Sequence, residues 1–149
     1  MLGTLAKWLR ILGYDTLFDP DLDDHQLVRL ARAEGRVLLT RDRELARRRG
    51  VRTLLIASQD LEEQITQVLT TFDLEPAQIL SRCLVCNEPL QPLDYETARQ
   101  RVPPYVAQTH DTFKICPACR RVYWHGTHRQ RMQERLARFT RRRSQEHRR

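Results

Sequence analysis

No run of about 18 or more apolar residues occurs anywhere in the 149-residue chain, so no membrane-spanning helix is expected. The signature of a secretory leader is also missing. The opening "MLGTLAKWLRILGYD" has no basic stretch leading into a long apolar region with a cleavage site. Cysteine is scarce and none is left over, since all four fall in two CxxC pairs. That pattern disfavours a disulfide scaffold and suits metal binding in a reducing compartment. Together these absences lead to the expectation of a cytoplasmic protein. Length is limited too. A chain of 149 residues, 40% of them hydrophobic, builds one compact domain, or a small domain joined to a metal-stapled module.

Excess positive charge is lacking in one half only. Residues 1–80 carry 11 Lys/Arg against 13 Asp/Glu, a net of −2, whereas residues 81–149 carry 15 against 6, a net of +9. A near-neutral front joined to a strongly basic back suits a polyanionic partner, with nucleic acid the commonest. Simple solubility is the plainer reading of the same charge.

Leu2, Leu5, Leu9 and Leu12 recur at helical spacing, with Ala6 and Trp8 beside them, and Gly13 ends that helix. "YDTLF" (14–18) reads as a short strand and "DPDLDD" (19–24) as an acidic turn. Asp23 followed by Gln26 predicts a capping box ahead of a helix over 25–34, closed by Gly35. "RVLLT" (36–40) and "VRTLLIA" (51–57) read as buried strands, and "RELARRR" (43–49) as a short helix closed by Gly50. Asp60 and Glu63 open one more helix, with Ile65, Val68, Leu69 and Phe72 facing inward. Strands and helices that alternate at such short intervals predict an α/β fold with a parallel sheet and helical crossovers. The chain opens on a helix, where a sheet of this kind normally opens on a central strand. Either the fold does without that strand or the chain is shortened. The chemistry changes near residues 76–82. A cysteine pair, a polar proline-bearing segment and a second cysteine pair follow. The last stretch, "RLARFTRRRSQEHRR", keeps helical spacing to about Phe139 and then becomes a basic tail. The expected units are residues 1–80, 81–132 and 133–149.

Cys83, Cys86, Cys116 and Cys119 form CxxC, a 29-residue gap and CxxC. Four thiolates in two such pairs match tetrahedral Zn²⁺ in a ribbon-like module. A redox dithiol would account for one pair only, and an iron–sulfur centre is the other alternative. A closed four-cysteine site has no open coordination position, so its expected role is structural. Arg82, Arg120 and Arg121 flank the ligands and soften the −2 charge that four thiolates leave on zinc.

Arg120, Arg121, His125, His128, Arg129 and Arg131 surround Tyr123 and Trp124. Cations interleaved with aromatic rings can hold phosphates while stacking bases. The two rings can equally fill the small core of the ribbon. In the front half, Asp19, Asp21, Asp23, Asp24, Asp42 and Asp60 fall near the ends of expected strands. Ligands bind at the carboxyl ends of strands in open parallel sheets, and gathered carboxylates there suit Mg²⁺ or Mn²⁺. Aspartates ahead of helices also serve as simple N-caps, worth about 1 kcal/mol each. Asp42, ahead of "RELARRR", fits either role.

The segments "LGTLAKWLRILGYDT" (2–16), the aspartates at 23–24, "RVLLTRDRELARRRG" (36–50), "CLVCNEPL", "RVPPYV" and "FKICPACRRVYWHGTH" resemble the Mut-seven C-terminal RNase family over nearly the whole chain. The resemblance implies a three-layer PIN-like nuclease domain followed by a zinc ribbon. Leu2, Gly3, Leu5, Ala6, Trp8, Leu9 and Arg10 match its first helix, Asp23 or Asp24 an acidic active-site position, and Thr40, Arg41 and Asp42 its TRD motif. Cys83, Cys86, Cys116 and Cys119 match its zinc ligands, followed by Tyr123, Trp124, Gly126 and His128. What it implies is metal-dependent cleavage of RNA, with structural Zn²⁺, catalytic Mg²⁺ or Mn²⁺, and catalytic residues Asp23, Asp24, Asp42 and Thr40. Arg120, Arg121, Tyr123, Trp124, His128 and Arg129 are the expected RNA contacts. The family pattern begins with a hydrophobic strand ending in an aspartate, ahead of the residue that is Met1 here. The expectation is therefore a reduced ligand set and low activity. A non-catalytic RNA-binding ribbon protein and a toxin-like or scaffold protein are the alternatives. An extensive apolar face left bare by that strand would argue either for a partner strand or for an incomplete chain.

Overall fold

The computed structural model describes residues 2–73 and 80–124, together with 134, 135, 137 and 138. The first helix, α1 (Gly3–Ile11), turns Leu5 and Leu9 onto one face, continued by Leu12; all three are at most 4% exposed. It stops at Gly13, whose φ of 94° needs a residue without a Cβ. α2 (Asp24–Glu34) starts on the expected capping box, with Asp23 accepting from the Gln26 amide and the Gln26 side chain accepting from the Asp23 amide. A left-handed Gly35 closes it. β1 (Leu38–Thr40), α3 (Arg43–Ala46), β2 (Thr53–Leu55) and α4 (Leu61–Thr71) follow in order.

β1 and β2 pair in parallel, with Leu38 opposite Thr53 and Thr40 opposite Leu55. Successive strand residues point to opposite faces, and the core divides accordingly. Leu39 and Leu54 pack with Leu5, Leu9, Leu12, Ile65, Val68 and Leu69 of the α1–α4 layer. Leu38 packs with Val28, Ala31 and Leu45 of the α2–α3 layer. The result is three layers, helix–sheet–helix. Each fully buried aliphatic side chain contributes about 1.5–3 kcal/mol relative to exposure.

The connections are short, so each helix packs back against the strand beside it. α3 and α4 begin just after the carboxyl ends of β1 and β2, and α2 runs directly into β1. The N-termini of α2, α3 and α4 therefore collect at one edge of the sheet, its carboxyl edge.

Three sequence expectations shift in detail. Residues 14–18 form no strand. Thr16 instead gives its N–H to the Asn87 side chain and its carbonyl to Arg10, so side chains take the place of a ladder. The helix expected over 43–49 closes at Ala46, where Arg47 already leaves the helix. The polar segment between the cysteine pairs contains two short helices, α5 (Tyr95–Ala98) and α6 (Pro104–Thr109). Asp94 caps α5 through the Thr97 amide, and Pro104 sits in the first turn of α6, where no donor is needed.

β3 (Gln91–Leu93), β4 (Phe113–Ile115) and β5 (Val122–Trp124) form an antiparallel sheet in that order. α5 and α6 fold over it, with Ala98, Val102, Val106 and Phe113 buried and Leu93, Val122 and Trp124 packed against them. This unit is clamped to the front half. Buried Arg10 donates to the carbonyls of Thr16 and Leu84 at 2.8 Å and of Val85 at 3.3 Å. Asn87, also buried, donates to Asp15 at 2.6 Å, and Arg82 donates to the Gly13 carbonyl. Asp15 is held below the usual carboxylate range, chiefly by its hydrogen bond from Arg36. In the C-terminal stretch the described residues are helical, and Arg135 lies 4.8 Å from the centre of the Trp8 ring.

Candidate metal centre and acidic edge

The two cysteine pairs fold as equivalent turns. In the first, the Cys86 amide points at Cys83 Sγ (3.4 Å), the Asn87 amide donates to the Cys83 carbonyl, and the Cys83 amide donates to the Glu88 carbonyl. In the second, Cys119, Cys116, Arg120 and Arg121 repeat these contacts position for position. Asn87 and Arg120, each just after a pair, both adopt a left-handed φ of 65°. β3, β4 and β5 bring the turns together, and all four sulfurs lie within 4.8 Å of one another. No disulfide joins them.

This arrangement passes a direct test of fit. A tetrahedral centre with metal–sulfur bonds of about 2.3 Å holds its sulfurs about 3.8 Å apart. The Cys83–Cys119 separation is 3.7 Å. Cys83 and Cys116 are fully buried and Cys86 and Cys119 half-buried, so the cluster is closed to solvent on one side. Burial pushes the Cys83 thiol up, but hydrogen bonds from Tyr123, backbone amides and Cys119 outweigh it, and the group sits at about 7. Cys86 is pushed up to about 12, first by its hydrogen bond with Cys119. Packed thiols resist collective ionisation without a cation among them, and a divalent cation reverses that.

The Tyr123 hydroxyl lies 3.1 Å from Cys83 Sγ and accepts from the Leu84 amide. Its ring thus supports the sulfur cluster, while Trp124 packs on the small core around Phe113. Arg120 and Arg121 are exposed beside the cluster. His125, His128, Arg129 and Arg131 lie outside the described residues. Sequence reading missed Arg10 and Asn87 as clamps. Asn87 could have been found from its place right after CxxC, where a left-handed residue closes the turn.

At the carboxyl edge, Asp42 caps α3, its Oδ1 accepting from the Glu44 amide at 2.8 Å and the Leu45 amide at 3.2 Å. Asp23 Oδ1 accepts from Gln26 and Asp60 Oδ1 from Glu63. Asp24 is the exposed first residue of α2. Buried Thr40 accepts from the Asp42 amide through its hydroxyl, at 3.0 Å. Arg41 reaches across to the carbonyls of Ile56 and Ser58 and so joins the ends of the two strands. Asp19 accepts from the Asp21 amide in the acidic turn. Among the described residues no three carboxylates approach as the four cysteines do, because Asp23, Asp42 and Asp60 each face the amides of their own helix. In all three caps the described bonds use Oδ1, which leaves Oδ2 outside the cap.

No helix among the described residues is long and apolar enough to cross a membrane. No curated protein and no solved structure gives a significant match to the chain. A family match runs from residue 1 to residue 136, through the three-layer unit, both cysteine turns and the antiparallel sheet. By that match the chain belongs to the Mut7-C RNAse domain family.

Proposed function

We propose that the protein is a metal-dependent ribonuclease of PIN-like type, acting at the carboxyl edge of the β1–β2 sheet. The observation that carries this reading is the division of labour within Asp42. One oxygen caps α3 while the other is outside the cap, at the sheet edge where α/β proteins bind ligands. Capping and ion binding, which the sequence presented as alternatives, are compatible in one carboxylate. Asp42 with Asp23 or Asp24 would hold Mg²⁺ or Mn²⁺, oxygen-seeking ions that keep several waters. When bound, such an ion supplies Lewis acidity at the phosphate and makes water a stronger nucleophile, so that the products carry a 5′-phosphate and a 3′-hydroxyl. Thr40 fixes the Asp42 backbone through its hydroxyl oxygen and keeps its own proton for a phosphate oxygen or a water.

Residues 1–80 are the proposed catalytic unit, 81–132 the ribbon and 133–149 a basic extension. Zn²⁺ is the proposed occupant of the four cysteines, in a structural role, and thiolate ligands suit a reducing, cytoplasmic setting. RNA is the proposed partner, led to the edge by Arg120, Arg121, Tyr123, Trp124, His128 and Arg129. A second reading, RNA binding without catalysis, is favoured by the capping bonds of Asp23, Asp42 and Asp60.

The test is cleavage of a labelled single-stranded RNA with Mn²⁺ or Mg²⁺, comparing wild type with Asp42→Asn. Asparagine caps a helix nearly as well as aspartate. The expected result is loss of cleavage with the melting temperature almost unchanged. Equal cleavage by the variant would make Asp42 a cap only, and a wild type that binds RNA but never cuts it would favour the second reading.

A further inference from the structure

Charge in the front half is divided between the two helical layers. Residues 24–52, which form α2, β1, α3 and the turn into β2, carry nine arginines against four acidic residues, a net of +5. Residues 53–80, which carry β2 and α4, have five acidic residues and no Lys or Arg, a net of −5. The net of −2 over residues 1–80 conceals both. On α2, Val28 and Ala31 are buried while Arg29 and Arg32 are exposed, three residues apart and so on one face. Arg43 opens α3 directly after Asp42, and Arg47, Arg48 and Arg49 follow its last turn. Arg29, Arg43, Arg47, Arg48, Arg49 and Arg52 are all exposed, and among the described residues none of them pairs with a carboxylate.

The arginine run sits on a loop that is fixed at both ends. The Thr53 hydroxyl donates to the Ala46 carbonyl at 2.6 Å and so holds the end of α3. Arg32 reaches over from α2 and donates from Nε to the Gly50 carbonyl at 3.2 Å and from Nη2 to the Arg49 carbonyl. Gly50 adopts a φ of 78°, and a Cβ there would lie 3.1 Å from Arg32 Nη2, so glycine lets the loop close around the guanidinium. Arg32 thus meets backbone oxygens, not a carboxylate, and brings one more cation beside the run. Like charges gathered in this way repel one another, and a bound polyanion relieves that repulsion.

The composition of this face selects among polyanions. The large hydrophobic side chains exposed among the described residues, Leu17, Phe18, Val85, Tyr95 and Tyr105, all lie outside residues 24–52, which contain no Phe, Tyr or Trp. A helix that lies on a membrane needs apolar groups to insert. A protein interface needs aromatic or aliphatic anchors. Single-stranded RNA is held by rings on which its bases stack. What this face offers instead is a row of guanidinium forks, whose planar donors match phosphate oxygens. Base-paired RNA presents its phosphates in a regular array with the bases turned inward. We infer that the α2–α3 face binds the phosphate backbone of a base-paired RNA stem, so that the substrate class is structured RNA with a stem beside the strand to be cut. Arg43 adjoins Asp42 in the chain, which sets the stem next to the proposed cleavage edge. The choice of RNA rests on the ribonuclease reading, whereas the phosphate contacts do not.

The test uses the full chain without added Mg²⁺ or Mn²⁺, so that binding is read apart from cleavage. Two labelled probes are compared by fluorescence anisotropy: an RNA hairpin with a fully paired stem and a 3′ single-stranded tail, and the tail alone. The hairpin is expected to bind at least tenfold more tightly than the tail. Arg47→Gln, Arg48→Gln and Arg49→Gln together should remove that advantage and lower the salt slope for the hairpin by about 2–3, at about 0.9 per lost phosphate contact on a duplex. Affinity for the tail should stay within about twofold. The corresponding triple Arg→Lys variant should keep most of the slope, which separates lost charge from a misfolded loop. Four results would overturn the inference. They are equal binding of hairpin and tail by the wild type, an unchanged slope in the glutamine variant, tighter binding of a DNA hairpin of the same sequence, and an equal loss when Arg141, Arg142 and Arg143 are changed to glutamine instead. A chain that cuts no RNA, yet loses the hairpin in the glutamine variant alone, would support this face and count against the ribonuclease reading.

Discussion

Arg10 is one residue on which both halves of the molecule depend. It is 8% exposed, and its guanidinium donates to carbonyls of residues 16, 84 and 85. Arginine suits this position because a planar fork of donors can serve several fixed acceptors at once, which a lysine ammonium at the end of a flexible stem does poorly. Arg10→Met keeps much of the hydrocarbon and leaves three carbonyls without that donor. The expected loss is about 2–3 kcal/mol in urea unfolding, with Arg10→Lys recovering only part of it. Loss below about 0.5 kcal/mol would mean that the carbonyls find other donors. The sequence placed Arg10 in the first helix but gave no sign of its clamping role, because its partners lie six and about 75 residues away. Asp23, by contrast, was readable as a cap because its partner Gln26 is three residues on and the bond is local.

At the scale of elements, local signals carried far and tertiary ones did not. Helices α2 and α4 match their sequence signs because a capping aspartate and an apolar stripe are both written within one turn or two. The segment 14–18 has strand-like residues but no ladder, since a strand exists only with a neighbour and no strand among the described residues pairs with it. The short helices α5 and α6 were hidden in a polar segment, where four to six residues give little periodicity to read. The pairing of the cysteine turns was legible because CxxC spacing is local, whereas the left-handed residue that closes each turn was missed. The central element here is that pair of turns. Metal binding at structural zinc sites is worth on the order of 10–16 kcal/mol at neutral pH. Cys116→Ser, or treatment with a strong chelator, should therefore remove hydrogen-exchange protection across residues 83–124. Protection of α4 should fall much less, while the segment 14–16, held by Asn87, should loosen with the turns. Elemental analysis should give one zinc per chain, and iron or no metal would contradict the assignment.

On the scale of the whole molecule, the net basic charge and the proposed cleavage site lie in different halves: net −2 over residues 1–80 and net +9 over 81–149. The proposed division is that the basic half holds RNA and the acidic edge cuts it. Affinity for single-stranded RNA should then fall with salt, each phosphate contact contributing about 0.7 to the slope of log K against log salt. Replacing Arg120 and Arg121 together with glutamate should lower that slope by about 1–2 without shifting the melting temperature, as both side chains are exposed. An unchanged slope would remove them from the RNA path. The composition pointed to a polyanionic partner, whereas the way in which the edge carboxylates would be shared between helix caps and the proposed ion could not be read from it. The most direct measurement of that sharing is Mn²⁺ titration followed by paramagnetic broadening of backbone amide signals. Substoichiometric Mn²⁺ is expected to broaden first the amides bonded to the capping aspartates, those of Gln26, Glu44 and Leu45. Asp42→Asn should abolish the effect at Glu44 and Leu45. Broadening confined to other surfaces, or unchanged in that variant, would contradict the proposed sharing.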